Sequence, residues 1–459
     1  MIGAKRFVRI GRVVPGTSLL PVPFAIASAA LVLLAATLTL DAWASSGRIA
    51  LHAWLSVGNV DDARAILGGI LGAVSTVLAL IFSVTLLVFS MAVSQFGPRL
   101  MPYFLRDRSM QIALVLFLAT FLHSLTTFVV TGQRGNAVFV PQLTVLTSIV
   151  LVFVSFCYLV VYNHRVALAI QTNNVLARIV EDLNSAIEEL SKPRVVDTNT
   201  GPGPTARSER DYPARSEGEG SADTIRRRCI AEGGVVRAIT SGYVQKLDHA
   251  RIVKAADKRA AAVCLAFKPG EFVIEGEAFA HVLPASQADE LGATIHNAVT
   301  IGQHRTLEQD AEFAFAQLSE IAIRALSPAI NDTYTGLSSI DWLGDALRMF
   351  GAFPASDGAW QTSRGKVRLL VPPLRFTSVV RAAFDLIRQA AADNPAVCLR
   401  LLQTCARLAP QLRDDEQRRA ILDEVEAAHE AAARMSDARI DRNTLEEAYR
   451  LACDRLEPH

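Results

Sequence analysis

The polar residues that could do chemistry collect at two breaks between helices. Gly302-Gln303-His304-Arg305-Thr306 leads into Gln309-Asp310, and Ala325-Leu326-Ser327-Pro328-Ala329-Ile330-Asn331-Asp332-Thr333-Tyr334-Thr335-Gly336 follows. The candidate ligand-binding residues are Arg305, Gln309, Asp310, Ser327, Asn331, Asp332 and Thr335. Pro328 interrupts one helix, and Asn331 or Asp332 can cap the next by accepting a hydrogen bond from a free backbone N–H. A helix start offers free N–H groups and the positive end of the dipole, so Arg305 beside it could bind a small anion or a nucleotide. In the structural alternative, Arg305 pairs with Asp310 or Asp332 and holds a β module on the helices. His304, Asp310 and Ser327 can be drawn as a triad, which sequence cannot bring together. There is no G-x-S-x-G, HExxH or Walker A segment, no catalytic residue is assigned, and no cofactor is expected.

A second group lies in apolar sequence. His123 is the one ionisable residue deep in a long apolar run, which makes it a functional candidate, or a neutral histidine bonded through Ser124, Thr126 or Thr127. Gly68, Gly72, Ser75, Thr76, Ala79 and Ser83 form a stripe of small residues at helical spacing. Such a stripe lets helices approach closely. It could pack within the membrane helices, form a subunit interface, or line a narrow water path through Gly68, Gly72, Thr76 and Ser83.

These residues must be positioned by two different kinds of sequence. Residues 1–165 carry 11 Lys/Arg and 4 Asp with no Glu, a net of +7, and the remainder carries a net of −6. The first part has too few charges for a wetted surface, and the balance disfavours a nucleic-acid partner. Four apolar stretches, near 21–43, 65–94, 110–131 and 143–162, are long enough to cross about 30 Å of hydrocarbon. The first exceeds a signal-peptide core and is expected to remain as a helix. Lys5, Arg6, Arg9 and Arg12, then Arg99, Arg106 and Arg108, then His164 and Arg165 mark one side. By the positive-inside rule both termini are cytoplasmic, in a bacterial inner membrane. The expected partners are the lipid bilayer and further copies of the chain. Arg48, Trp54, Trp43 and Phe139 fall on the other side.

Residues 166–190 read as a helical stalk with Ile179, Leu183, Ile187 and Leu190 on one stripe. It could pack on the soluble part or pair with copies of itself. Residues 191–223 read as a disordered linker, 224–284 as a small β module, and 285–459 as a mainly helical domain with a short strand at 366–371. Cys157, Cys229, Cys264, Cys398, Cys405 and Cys453 form no CxxC pair, so no metal site is expected.

The pattern SGYVQKLD…FKPGEFVIEGEAFAHV resembles barrel-sandwich domains of the biotinyl/lipoyl type over about 45 residues. Their modified lysine, flanked by Met, is missing, so the resemblance implies a structural module and not a carrier. The segments SQFGPR (Ser94–Arg99) and RTxxQD…ALSPAIND resemble the bacterial membrane proteins grouped as domain-of-unknown-function family 2254. That family implies four membrane helices followed by a cytoplasmic domain, and no activity. The fold class expected is therefore a mainly α membrane protein with a four-helix transmembrane region, domain 1–165, and a cytoplasmic α+β domain. A homo-oligomeric, channel-like protein regulated by that domain is the leading expectation. A tethered ligand sensor or scaffold and an enzyme acting near 302–335 are the others. A small anion is the ligand class expected on the cytoplasmic domain.

Overall fold

The computed structural model describes residues 21–46, 58–97, 108–134, 137–169, 171–190, 194–198, 222–354, 356–391, 394–433 and 439–457. Lys5, Arg6, Arg9, Arg12, Arg48, Trp54, Pro98, Arg99, Arg106 and most of segment 191–223 lie outside the described residues. The chain forms two compact units, one within residues 13–175 and one within 176–459.

The first unit contains α1 (Pro21–Ser45), α2 (Val60–Phe96), α3 (Arg108–Val130) and α4 (Gln142–Ala169). All four are long and apolar enough to cross a membrane. Leu31, Val32, Phe82, Leu87, Phe153 and Val160 are exposed on their outer faces. That arrangement suits a lipid solvent, which has nothing to gain from polar groups on the outside. The 37 residues of α2 span about 55 Å at ~1.5 Å per residue, well beyond a ~30 Å hydrocarbon core. Its start is fixed by a capping box: Asn59 accepts the Asp62 N–H at 2.9 Å, and Asp62 accepts the Asn59 N–H at 3.1 Å. Helix α3 packs against each of the other three. A short antiparallel hairpin, β1 (Gly132–Arg134) and β2 (Ala137–Phe139), joins α3 to α4.

The second unit begins within α5 (Thr172–Leu190). Leu176, Ile179, Leu183 and Ile187 on this helix are fully buried within the chain. Its apolar stripe is therefore used internally and is not free to pair with another copy. After α6 (Ala222–Glu232) the unit builds two sheets over one core. The strands are β3 (Val195–Val196), β4 (Gly234–Arg237), β5 (Gly242–Leu247), β6 (Ala262–Leu265), β7 (Phe272–Val273), β8 (Ala278–Leu283), β9 (Val299–Gly302), β10 (Ala359–Thr362) and β11 (Val367–Leu370). One sheet runs β3-β10-β11-β6-β8-β4 and the other β7-β5-β9. The strands resembling a barrel-sandwich module are thus divided between two sheets. Neither sheet is built from 224–284 alone, because β11 pairs in parallel with β6 in the first and β9 pairs with β5 in the second. Helices α7 (His249–Lys258) and α8 (Ala288–Ala298) supply Ile252, Val253, Leu291 and Ile295 to the core, against Val244, Val263, Phe279 and Leu369.

The remaining helices form a layer of their own: α9 (Ala311–Ala325), α10 (Thr333–Gly351), α11 (Phe376–Ala390), α12 (Pro395–Leu408), α13 (Asp415–Ala433) and α14 (Arg439–Leu456). Phe315, Leu343, Phe384, Leu401 and Val425 are among their fully buried side chains. At Gly344 the contact is so close that a Cβ would lie 2.4 Å from the Thr404 methyl carbon, which draws α10 onto α12.

Candidate functional site

The loop after β9 turns back over β5 and is stapled to it. Gln309 grips one residue from both sides: its Oε1 accepts the Leu247 N–H at 2.8 Å and its Nε2 donates to the Leu247 carbonyl at 3.1 Å. The Gln245 amide donates to the His304 carbonyl at 2.8 Å, and the Thr306 hydroxyl donates to the Gln245 carbonyl at 3.3 Å. Asp310 caps α9 by accepting the Phe313 N–H at 3.0 Å. Arg305 meets the same carboxylate with two parallel bonds, Nε–Oδ2 at 2.8 Å and Nη2–Oδ1 at 2.9 Å. Its guanidinium also lies 5.0 Å from the Phe313 ring centroid. Gly270, at φ +89°, brings its backbone against this carboxylate, where a Cβ would sit 1.9 Å from Oδ2. Burial pushes the Asp310 carboxyl above its ordinary value, against the pull of Arg305.

The second polar segment closes on itself. The Ser327 carbonyl accepts the Asn331 N–H at 2.8 Å, and its hydroxyl donates to the Arg324 carbonyl at 2.7 Å. Asn331 adopts a left-handed φ of +50°, which asparagine tolerates better than most residues. Asp332 caps α10, taking the Thr335 N–H at 3.1 Å and its hydroxyl at 2.6 Å. The cap is thus Asp332 and the partner of Arg305 is Asp310. Among the described residues no hydrogen bond or ion pair joins Arg305, Gln309 and Asp310 to Ser327, Asn331, Asp332 and Thr335. None joins His304, Asp310 and Ser327 to one another either.

Gln309 and Asp310 do reach a cavity of about 110 Å³. Its wall includes Ala186 of α5, Arg194 beside β3, His249 at the start of α7, Trp360 of β10, and the Pro372-Pro373 turn. The His249 and Trp360 rings stack at 4.0 Å and 9°. Burial, aided by the Arg194 charge, pushes His249 down to about 4, so it is neutral at pH 7. The Arg194 guanidinium lies 5.9 Å from the Trp360 centroid and donates to the Ser356 hydroxyl. Lys268 pairs with Glu312 across the rim at 2.8 Å. Sequence reasoning missed Arg194, His249 and Trp360. They come from three separate segments, the outer two more than 160 residues apart, and no spacing rule connects them. The one local signal was the Lys268-Pro269-Gly270 turn.

Among the described residues, the small-residue stripe of the membrane unit does not pack. Gly68, Gly72, Thr76 and Ser83 are exposed on α2, and a Cβ at Gly68 or Gly72 would meet no atom within 4 Å. Most of the unit's buried polar groups lie elsewhere, on α3 and α4, with Thr37 and Asp41 on α1. Asp41 near the end of α1 is 3% exposed and caps α4. Its carboxylate accepts the Leu143 and Thr144 N–H groups at 2.9 Å each and the Thr144 hydroxyl at 2.6 Å. His123 Nδ1 lies 3.0 Å from the Ser148 hydroxyl, which donates to the Thr144 carbonyl at 3.1 Å.

The comparisons with known proteins agree with this architecture. Three curated relatives are 27% identical over 384 residues, which is 82% of this chain and 69% of theirs. They are an uncharacterized protein of Mycobacterium bovis and uncharacterized proteins of two Mycobacterium tuberculosis strains. No solved structure matches the chain. The sequence profile of one family, described as predicted membrane proteins, matches residues 16–407, from α1 through α12. With four apolar helices followed by a separate α+β unit, the chain belongs to domain-of-unknown-function family 2254.

Proposed function

We propose that this membrane protein is ligand-responsive, with the α+β unit binding a small molecule in the cavity between Trp360 and Asp310. The observation that carries the reading is the makeup of that wall. A stacked, uncharged His249–Trp360 pair lines the wall, and the Arg194 guanidinium lies over the Trp360 ring, 5.9 Å from its centroid. A small planar molecule with one acidic group fits that chemistry, its apolar part against the His249–Trp360 pair and its anion toward Arg194. Ala186 places α5, the helix that follows the fourth membrane helix in sequence, in the same wall. Both termini are proposed to be cytoplasmic, on the strength of the basic residues that flank the spans. Benzoate is expected to raise the melting temperature of the full-length protein in detergent by a few degrees. Trp360→Ala should abolish the shift while leaving the protein folded. If benzoate, acetate and inorganic phosphate all leave melting unchanged, the reading falls.

A second reading, a homo-oligomer of channel-like type, is favoured by the free small-residue face of α2. In lipid, such a face gains most by packing against another helix. A Cβ at Gly72 meets no described atom within 4 Å, so Gly72→Leu should leave the fold intact. It is expected to shift the species seen by light scattering in detergent from oligomer to monomer. A wild-type protein that is monomeric at all concentrations removes this reading. Neither polar network near 302–335 leaves a nucleophile beside a base, so no catalysis is proposed there.

A further inference from the structure

We infer that the groove between α12 and α14 binds a phosphate-bearing dianion of the diphosphate type, held by Arg400, Arg407 and Arg455. The groove encloses about 360 Å³, within the ~300–1,000 Å³ of small-molecule sites. It shares no residue with the Trp360 cavity. Arg400, Gln403 and Arg407 stand at i, i+3 and i+7 on α12, so one face of that helix carries all three. Ala448, Leu451 and Arg455 repeat the spacing on α14 and complete the groove. The two helices pack against each other.

The charge at the groove is unbalanced. Arg400 Nη1 meets Asp341 Oδ2 at 2.6 Å, and Arg407 Nη2 meets Oδ1 of the same carboxylate at 2.7 Å. Both therefore share the single charge of Asp341 on α10. Among the described residues Arg455 meets no carboxylate, and its Nη1 donates to the Ala406 carbonyl at 3.1 Å. Guanidinium groups do not lose their proton in proteins, so three positive charges face one negative charge and two remain. Glu447 and Asp454 each precede a groove residue on α14, about 100° round the helix, and neither lines the groove. Gathering like charges destabilises the folded chain, and a dianion that binds the folded state reverses that. Donors are also unused. Each guanidinium has five N–H donors, yet each of these three employs one terminal nitrogen, that of Arg407 also serving the Thr404 hydroxyl. The others suit the paired oxygens of a phosphoryl group, which a guanidinium meets with two parallel bonds. Arg400 and Arg407 are seven residues apart, about 10 Å along α12 at ~1.5 Å per residue. A pair of linked phosphoryl groups reaches more of this set than one does. Ala406, Ala448 and the exposed Leu451 add apolar surface, which suits the organic part of a diphosphate ester or of a lipid with two phosphates.

The test uses full-length protein in phosphatidylcholine nanodiscs. Inorganic pyrophosphate is the soluble probe, and nanodiscs containing cardiolipin, a lipid with two phosphates, are the membrane probe. Melting temperature follows both, and calorimetric titration follows the first. The expected result is a stabilisation of a few degrees by at least one probe, larger than acetate gives at equal ionic strength. Arg455→Gln removes only one hydrogen bond to a carbonyl, and Arg400→Gln leaves Arg407 for Asp341, so both variants should fold. Each should weaken pyrophosphate binding about tenfold and shrink any cardiolipin shift. A response to pyrophosphate alone assigns a soluble diphosphate, and a response to cardiolipin alone assigns a lipid headgroup. Trp360→Ala should leave the response unchanged, so this site and the Trp360 cavity stand or fall separately. The inference is overturned if neither probe stabilises the wild type beyond acetate, if neither arginine variant weakens the response, or if Trp360→Ala abolishes it.

Discussion

Arg305→Ala is expected to lower the unfolding free energy of the α+β unit by about 3–5 kcal/mol, the usual cost of breaking a buried ion pair from one side. Asp310 is 3% exposed, so its carboxylate cannot recover water when the guanidinium is removed. The backbone of Gly270 already presses on it, which leaves no room for the carboxylate to move away. It also caps α9, so the disturbance reaches the first turn of that helix. The variant further loses the guanidinium's contact with the Phe313 ring. Denaturant unfolding of the full-length protein in detergent measures the change. The double variant Arg305→Ala with Asp310→Asn should regain more than half of the loss. Asparagine caps a helix as well as aspartate does and leaves no buried charge. If Arg305 instead served mainly as an anion ligand, the single variant would unfold like wild type and lose binding alone.

The membrane part was legible because its signal is local and redundant. An apolar run near 21–43 became Pro21–Ser45, and one near 110–131 became Arg108–Val130. The start of α2 was placed late, at 65 in place of Val60, because Asp61, Asp62 and Arg64 interrupt the apolar run. The Asn59–Asp62 capping box was the sign of the true start. In the α+β unit, α12 is legible locally, since Pro395 opens it and its apolar period is clean. Helix α7 was missed, because Ile252, Val253 and Ala256 are its only buried positions in ten residues rich in charge. Strand β10 is four residues long and owes its existence in part to β3, far away in sequence.

The candidate site divides the same way. Arg305, Gln309, Asp310 and Asp332 were visible because polar residues at helix breaks are a local signal. Which of them touch was invisible, because Gln309 finds its partner 62 residues away in β5. Asp41 was passed over entirely: its role depends on the start of α4, 102 residues later. Helix ends carry unmet N–H groups, yet nothing in the sequence says which carboxylate will meet them. His123 stood out only because no other ionisable residue shares its run.

Glu424→Gln is expected to abolish most of a pH dependence that its carboxyl imposes on the helical layer. Glu424 is 4% exposed on α13 and meets the Arg388 Nε at 3.2 Å. Arg388 also serves Asp385 at 3.2 Å. Burial is the largest influence and pushes Glu424 up to about 7, while Arg388 pulls it down and Asp385 pushes it further up. The unfolded chain has the ordinary value of 4.5. Between these two values the folded protein holds a proton that the unfolded chain has released. Stability therefore falls as pH rises from about 4.5 to about 7 and levels off above that, a loss of about 3 kcal/mol. The amide that replaces the carboxyl carries no charge at any of these pH values, and its oxygen can still accept from Arg388. Melting temperatures of wild type and variant should thus lie close together at about pH 5 and diverge by about pH 8, with the variant the more stable. A variant that keeps the wild-type slope, or a wild type that gains stability over this range relative to the variant, would mean that Arg388 outweighs burial. The choice of glutamine matters to that comparison: Glu424→Ala would strand the Arg388 guanidinium beside a void and mix the loss of a contact with the loss of a charge.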